Sequence, residues 1–484
     1  MSINAPAKPL AIKDYKSDLH NDWCPGCLAP DTMIVLGDGS RKKIRDIVAG
    51  ELVLGHDGRP HRVTEIMSHW HPDTVQRLVV RFLGTVVLTA DHPVYRAVAS
   101  GVGEYAYEWT PAGEIRPGDL IATPATALER SPEPALAQAE VARLEEFVRD
   151  SARSLPYILL TVESNEVISY NGFVHNLEVE DVHSYVTEQG ALHNCGDFGI
   201  LTGIQMALAQ MQIEPDKLAV YSGIGCSGKT PHYINGYGFH TLHGRVLTVA
   251  TGGRLANTDL TVLALGGDGD GYGIGAGYFV GAGRRNADFA YIVHNNNVYG
   301  LTKGQASPTL SKGKKTKSMP EQAIQDGINP VAMAVASGYT FIARGYALEP
   351  KYLASIIVKA IQHKGSALVD VLQTCPTYND LYTKEWYEGA DLPEKRSRLY
   401  KLEDKGYDGK VQDPTDAQDM IAKKAAAVAR SYETDPIPIG IYYQVELPTY
   451  EDAVGQRIPA LAEKPLVELD VFHRDVTPLL EAMR

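Results

Sequence analysis

The sequence predicts an α/β fold, a parallel sheet with helices on both faces, into which an all-β domain has been inserted. Three observations carry this reading. From residue 261, TVLALGGDGDGYGIGAGYFVGAGRRNADFAYIVHNNNVYG passes from an apolar strand through a glycine loop and a glycine-rich helix to a second strand, the outline of one parallel βαβ unit. Between residues 27 and 194, short β-branched runs such as TMIVLGDG, VQRLVVRFLGTVVLTADHPVY and NGFVHNLEVEDVHSYVTEQG alternate with Gly, Asp-Gly and Asn-Gly turns, as in a compact all-β domain. The turn WCPGC breaks off at Cys27, where this β text starts, and its continuation, CGDFGI, resumes at Cys195.

The bulk properties bound the function. A chain of 484 residues suits two or three domains, and 44% hydrophobic with 22% charged residues is a globular composition. A net charge of −13 argues against a nucleic-acid partner, because phosphate binding needs basic surface. The N-terminus, MSINAPAKPLAIKDYKSD, has no apolar core and reads as no signal peptide. No apolar run reaches the roughly 18 residues of a membrane span. These point to the cytoplasm, where structural disulfides are rare. Cys24, Cys27, Cys195, Cys226 and Cys375 therefore read as metal ligands or nucleophiles.

Taking the elements in order, residues 1–26 lead into the block 27–194, and residues 195–484 follow it. Within the block, the Ala/Glu/Arg-rich stretch 127–156 is the one expected helical or loose excursion. The chemistry sits at the block's edges. It opens with Cys27 and closes with His193-Asn194, followed directly by Cys195. A thiol can attack its preceding carbonyl to make a thioester. An Asn side-chain amide can attack its own carbonyl and cut the chain as a succinimide, and a neighbouring His can carry the proton. Thr89 and His92, in LTADHPVY, are spaced to share one turn near the first scissile bond.

At these residues the block resembles a mini-intein of the Hint fold. CLAPDTMIVLGDG is similar to the N-terminal splicing block, TADH to the Thr-x-x-His block, and VHNLEVEDVHSY with ALHNC to the C-terminal blocks. Glu51 departs from the Asp usual in the family's Gly-Asp pair. The resemblance implies that residues 1–26 are the N-extein, 27–194 an intein without an endonuclease, and 195–484 the C-extein. Cys27 would make the N–S acyl shift with help from Thr89 and His92. Cys195 would take over the acyl group, and Asn194 would cyclise with help from His183 and His193. Acyl transfer requires the two junctions to be neighbours. A Hint domain that only cleaves is the rival, and Cys195 argues against it.

Removing 27–194, which is 194 − 27 + 1 = 168 residues, leaves 484 − 168 = 316 and restores WCPGCGDFGILTGIQMALAQM. Cys24, Cys195, Cys226 and Cys375 remain, enough thiolates for a [4Fe–4S] cluster or a structural zinc. In the βαβ unit, Asp268 and Asn296 end successive strands and together can hold a Mg²⁺ that also binds phosphate. A dinucleotide site would want an acid where the sequence has HNNN, and an EF-hand starting at Asp268 would want Glu where Phe279 stands. The fit is GDG, about 25 residues, then NN, the pattern of thiamine-diphosphate enzymes.

With GIGCSGKT, HTLHGR, GGDGDG, HNNNVYGLTKGQASPT and LQTCPTYN also present, the host resembles the β subunit of 2-oxoacid:ferredoxin oxidoreductases. The resemblance implies a thiamine-diphosphate-binding fold with the cofactor held by Ile224, Gly225, Cys226, Ser227, His243, Gly269, Asp270, Gly300 and Leu301. Mg²⁺ would be held by Asp268, Asn296 and the carbonyl of Val298, and a [4Fe–4S] cluster by Cys24, Cys195, Cys226 and Cys375. It further implies oxidative decarboxylation of a 2-oxoacid of the 2-oxoglutarate or pyruvate type to acyl-coenzyme A and CO2, with electrons passing to ferredoxin. A partner α subunit would complete the site; no residue here is a candidate for the Glu that activates the aminopyrimidine. A thiamine-diphosphate enzyme without a cluster is the competing reading. His232, His240 and His294 read as structural or solvated, the lysine-rich loop 312–317 as solvated, and 414–436 as an exposed amphipathic helix.

Overall fold

The computed structural model describes residues 9–17, 27–101, 104–124, 157–180, 184–193, 195–316, 318–379, 381–469 and 475–482. Cys24, His183, Asn194, Lys317 and the expected excursion at 127–156 lie outside the described residues.

The host is built on one eight-stranded sheet. Its strands are β1 (Leu218–Ser222), β2 (Tyr237–His240), β3 (Thr261–Gly267), β4 (Phe289–Asn295), β5 (Phe341–Tyr346), β6 (Ser366–Leu372), β7 (Leu399–Lys401) and β8 (Ile437–Gln444). They lie in the order β2-β1-β3-β4-β6-β5-β8-β7. The first six are mutually parallel, β8 runs antiparallel to β5, and β7 runs parallel to β8. Every residue of β4 and β5 is buried, which is why FAYIVHN and FIARGY do not alternate with solvent-facing residues. One core holds Phe198, Ile204 and Leu208 of the helix Gly196–Met211 with Leu353 and Ile357 of the helix Pro350–Gln362. The other holds Leu247, Phe279 and Val331 from the helices Val246–Ala256, Ala276–Arg285 and Pro330–Ser337. The sheet is therefore covered on both faces. The strand order reverses between β1 and β3, so a crevice opens at their carboxyl ends, where open α/β sheets bind ligands.

The GYGIGA text opens as a wide helical turn before the α-helix begins. Gly269–Ile274 forms a wide turn closed by Gly275 N–H donating to the Asp270 carbonyl at 3.0 Å, and the α-helix starts only at Ala276. The helix Ala417–Ser431 lies within 414–436 and starts where the Asp416 side chain accepts from the backbone N–H of Gln418 and Asp419. Its residues are exposed or partly exposed except Ala427 and Ser431, which are buried.

The inserted segment forms a second core of its own, around Leu28, Ile34, Val53, Leu88, Ile121, Ile158 and Leu177. All its strand pairings are antiparallel. Pro60–His71 pairs with Leu52–Leu54 and Gly172–Val179, and a larger sheet includes Pro93–Gly101 between Gly190–His193 and Leu120–Pro124. Glu51 sits in a turn, where its carboxylate accepts from Lys42 Nζ at 2.8 Å and from Val48 N–H at 2.8 Å.

The short segment before the insertion is already docked on the host. Tyr15 is fully buried in the first core, Leu10 and Gln212 exchange two hydrogen bonds of 2.7 Å, and the Tyr15 carbonyl accepts from Asn235 N–H at 2.9 Å. Among the described residues no helix is long and apolar enough to cross a membrane.

Candidate functional site

The crevice between β1 and β3 gathers the host's polar residues. Asp268, directly after β3, is almost completely buried. One carboxylate oxygen accepts from Gly269 N–H at 3.0 Å. The other accepts from Asn297 N–H at 3.0 Å and from the hydroxyls of Ser307 and Thr309, both at 2.5 Å. Burial pushes its pKa up to about 6, against the four hydrogen bonds, which pull it down. Asn296 is buried, and its side-chain oxygen accepts from Val298 N–H at 3.1 Å. Asn379 donates to the Asn296 carbonyl at 2.8 Å. Asp268, Asn296 and Val298 are thus brought together, as an oxygen-rich corner suited to a hard divalent cation.

Asp270 lies across the crevice. One of its oxygens accepts from Ile224 N–H at 3.2 Å and Gly244 N–H at 2.7 Å, and meets His243 Nδ1 at 2.7 Å. Its other oxygen is buried without a hydrogen-bond partner, as is the Ser227 hydroxyl. A Cβ on Gly223 would stand 2.0 Å from that free carboxylate oxygen, so only glycine admits this approach. Gly225, at φ 99°, turns the chain into the short helix that begins at Cys226. Gly300 packs closely on Cys226, so that an added Cβ would lie only 3.1 Å from Cys226 Sγ, and Leu301 beside it is exposed.

The cysteines converge at the same end of the sheet. Cys195 caps the helix Gly196–Met211, and Gly196 N–H donates to the Thr374 carbonyl at 3.2 Å, next to Cys375. The Cys195 thiol donates to Asp197 at 3.1 Å and receives a 3.6 Å contact from the Gln373 amide. Its pKa is driven far up by burial, then by Asp197, Cys375 and Cys226, so the three thiols share one electrostatic neighbourhood. Among the described residues, no group of three or more His, Cys, Asp or Glu side chains is arranged to hold a metal ion. His294 is fully buried with Nδ1 at 2.5 Å from Asp197, whereas His232 is exposed and His240 meets Ser222 Oγ and the Gly228 carbonyl at 3.0 Å. Lys312, Lys314 and Lys315 of the lysine-rich loop are exposed.

The second constellation lies in the β domain. Cys27 is buried; its N–H donates to Thr89 Oγ1 at 2.8 Å while its carbonyl accepts from Thr89 N–H at 2.8 Å. The turn closes with His92 N–H donating to the Thr89 carbonyl at 3.1 Å. Burial, then the charge of Asp91, raises the Cys27 thiol pKa. The fully buried His92 ring meets Tyr185 edge-on at 6.4 Å, and Tyr185 in turn donates to Asn176 at 2.5 Å. On the C-terminal side, Leu192 pairs with Val94, two residues beyond His92, and His193 ends that strand. Cys27 and Leu192 thus both contact the single segment Thr89–Val94.

Several residues in these sites carry no signal that sequence reasoning used. Ser307 and Thr309 sit in the QASPT text but had no assigned role, and Asp197 stands in CGDFG beside the junction. Asp91, Asn176 and Tyr185 act through contacts that only the folded β domain creates.

Known proteins are similar to this chain. The thiamine pyrophosphate enzyme C-terminal TPP-binding domain matches residues 223–371, and the C-terminal domain of the pyruvate ferredoxin oxidoreductase β chain matches 375–457. A 2-oxoacid:ferredoxin oxidoreductase β subunit from Saccharolobus solfataricus is 54% identical over 276 residues, which is 56% of this chain and 87% of that protein. The chain belongs to the 2-oxoacid:ferredoxin oxidoreductase β-subunit family. The residues that line its β1–β3 crevice fall within the stretch that matches the TPP-binding domain. A 2-oxoglutarate:ferredoxin oxidoreductase from Magnetococcus marinus, solved with 2-oxoglutarate, coenzyme A and succinyl-CoA bound, aligns at 32% identity and TM-score 0.50, over 60% of this chain and 90% of that one. A Ssp DnaB mini-intein variant aligns over 35% of this chain and 92% of its own at 18% identity and TM-score 0.26. At that score the assignment of the β domain rests on its own junction residues.

Proposed function

We propose that the chain is a precursor in which residues 27–194 excise themselves. Joining 1–26 to 195–484 then yields a β subunit that works with an α subunit to decarboxylate a 2-oxoacid, form acyl-coenzyme A and reduce ferredoxin. We assign it to the cytoplasm, where thiols stay reduced.

For the host, the supporting observation is the set of buried polar atoms with no partner that face the crevice. The free oxygen of Asp270 and the hydroxyl of Ser227 call for a polar occupant. Asp268, Asn296 and the Val298 carbonyl would hold Mg²⁺ against the diphosphate. Ile224 to Ser227, His243, Gly269, Asp270, Gly300 and Leu301 would surround the cofactor, with His243 fixed by Asp270. Thiamine diphosphate supplies the carbon nucleophile for loss of CO2, and a [4Fe–4S] cluster supplies single-electron transfer. Cys195, Cys226 and Cys375 would be three ligands of the cluster, and Cys24 would be the fourth once splicing has joined it to Cys195. Four donors fix the Asp268 carboxylate in one orientation, in which it would face the cation.

For the insertion, the supporting observation is the pair of 2.8 Å hydrogen bonds that lock Cys27 to Thr89. Thr89 Oγ1 holds the nitrogen that becomes the leaving amine when Cys27 Sγ attacks the Gly26 carbonyl, and His92 lies in the same turn to protonate it. Cys195 Sγ then displaces the Cys27 thiolate. Asn194, aided by His183 and His193, cyclises with loss of the Cys195 amine, which attacks the thioester to close a peptide bond. Intact-mass measurement on the purified chain tests the reading. Products of 316 and 168 residues are expected, and the ligated one, paired with its α subunit, should reduce ferredoxin only with a 2-oxoacid and coenzyme A present. A chain that stays whole, or fragments that never ligate, would overturn it.

A further inference from the structure

The inserted domain meets the host through more than its two chain ends. Along the strand Pro60–His71, Val63 and Ile66 pack into the domain's own core, whereas Met67, 3% exposed, joins the host core that holds Phe198 and Leu353. His56, 4% exposed, places its Nε2 3.4 Å from Glu385 of the host helix Lys384–Glu388, and the Glu385 oxygen it meets is buried. Tyr95 and Trp109 flank the imidazole edge-on at 5.8 and 5.7 Å. Burial, and after it the charge of Glu385, raises the Tyr95 phenol pKa, so the host carboxylate reaches this aromatic wall. Elsewhere between the two bodies, Glu180 accepts from Lys351 Nζ at 2.7 Å.

Both sides of the buried contact are held in place by their own domain. His56 Nδ1 meets Ser184 Oγ at 2.6 Å within the β domain. On the host side, Thr383 Oγ1 accepts from Trp386 N–H at 3.3 Å where the helix starts, and Tyr387 is buried with its ring 4.8 Å from that of Tyr346. The host therefore sets where Glu385 stands.

These contacts differ in what they are worth once the chain is cut. While the ends join the two bodies, the tether supplies an effective concentration on the order of millimolar, enough to keep weak contacts closed. The Glu180–Lys351 pair is of that weak kind, because the Lys351 side chain is 74% exposed and water screens it. Met67 and the His56–Glu385 contact are shut off from water, and none of these residues belongs to a junction. Separating the bodies would return the Met67 surface to water and leave His56 without its carboxylate.

We propose that the excised domain stays bound to the host, the face that carries His56 and Met67 seated on the host surface around Glu385. Splicing then frees the ends of the domain without freeing that surface. The inference rests on the splicing reading above and adds the fate of the excised domain.

The test lets the full-length chain splice and passes the products through size exclusion in native buffer at micromolar concentration, with intact mass on each fraction. Excised domain and ligated host should elute together and part only in denaturant. Glu385→Ala, which strips His56 of its partner, and Met67→Lys, which asks the host core to take a charge, should each weaken the complex at least about tenfold. Separate elution of the wild-type products would overturn the proposal, as would variants that hold together as tightly as the wild type. Hydrogen exchange on a chain blocked by Cys27→Ala and Asn194→Ala reads the same contact without splicing. Amides of the strand Pro60–His71 should exchange at least about tenfold faster in Glu385→Ala, while those of β4 keep their protection. Unchanged exchange in that strand, or equal loss of protection in β4, would rule out Glu385 as part of a docking surface. A wild-type chain that does not splice sinks the splicing reading and with it the excised partner, whereas the exchange result still decides whether the two faces dock.

Discussion

Replacing Arg344 by Met should destabilise the host sheet by about 3–5 kcal/mol, the cost of stripping a buried carboxylate of its only cationic partner among the described contacts. Asp370 on β6 is completely buried. It accepts from Arg344 Nε at 3.0 Å, from Tyr272 OH at 3.2 Å and from Asn295 Nδ2 at 3.0 Å. Without the guanidinium, two neutral donors must carry a full charge in the core. At a urea dependence of roughly 2 kcal/mol per molar, the midpoint falls by about 2 M. The same network reaches the cofactor crevice, because Asn295 immediately precedes Asn296. Adding Asp370→Asn to Arg344→Met removes the stranded charge, and the double variant should recover about 2–3 kcal/mol. Urea unfolding of a chain carrying Cys27→Ala and Asn194→Ala, followed by tryptophan fluorescence, keeps one covalent species in the cuvette. A loss under about 1 kcal/mol for Arg344→Met, or a double variant no better than the single, would refute the argument that Asp370 is held as a buried anion.

The other predictions concern the two chemistries. Cys27→Ala with Asn194→Ala should leave only the full-length chain on intact mass; any ligated product from it would sink the assignment of those nucleophiles. Asn194→Ala alone should give a precursor with little [4Fe–4S] cluster and no ferredoxin reduction, since Cys27 stands where Cys195 must come beside Cys24. Full iron content and activity there would show the insertion to be harmless, and Cys195→Ala should remove splicing and cluster together. Asp268→Ala should abolish Mg²⁺-dependent thiamine diphosphate binding by calorimetry while circular dichroism stays unchanged, and undiminished affinity would exclude Asp268 as a metal ligand.

Local chemistry was legible because it is written in contiguous text. GGDGDG and HNNN mark the ends of β3 and β4, since a parallel strand must run apolar until it leaves the sheet and only then can carry polar ligands. The TADH turn was readable for the same reason: Thr89 and His92 are three residues apart, and the turn that brings their backbones together is local. The β domain showed through its turn residues, although the pairing of its strands did not.

By itself, the sequence determined the family of the host and the presence of an inserted β domain, and it singled out the residues proposed to react at the edges of that domain. Tertiary structure alone decided their company. It set Ser307 and Thr309 on Asp268, joined Asp197 to His294 across 97 positions, and brought Gln373 to the Cys195 thiol. The physical reason is that a hydroxyl, a carboxylate or an ion-pair partner can be recruited from any element that passes within about 3 Å. Sequence periodicity reports which face of an element is buried, but not which distant side chain that face will meet.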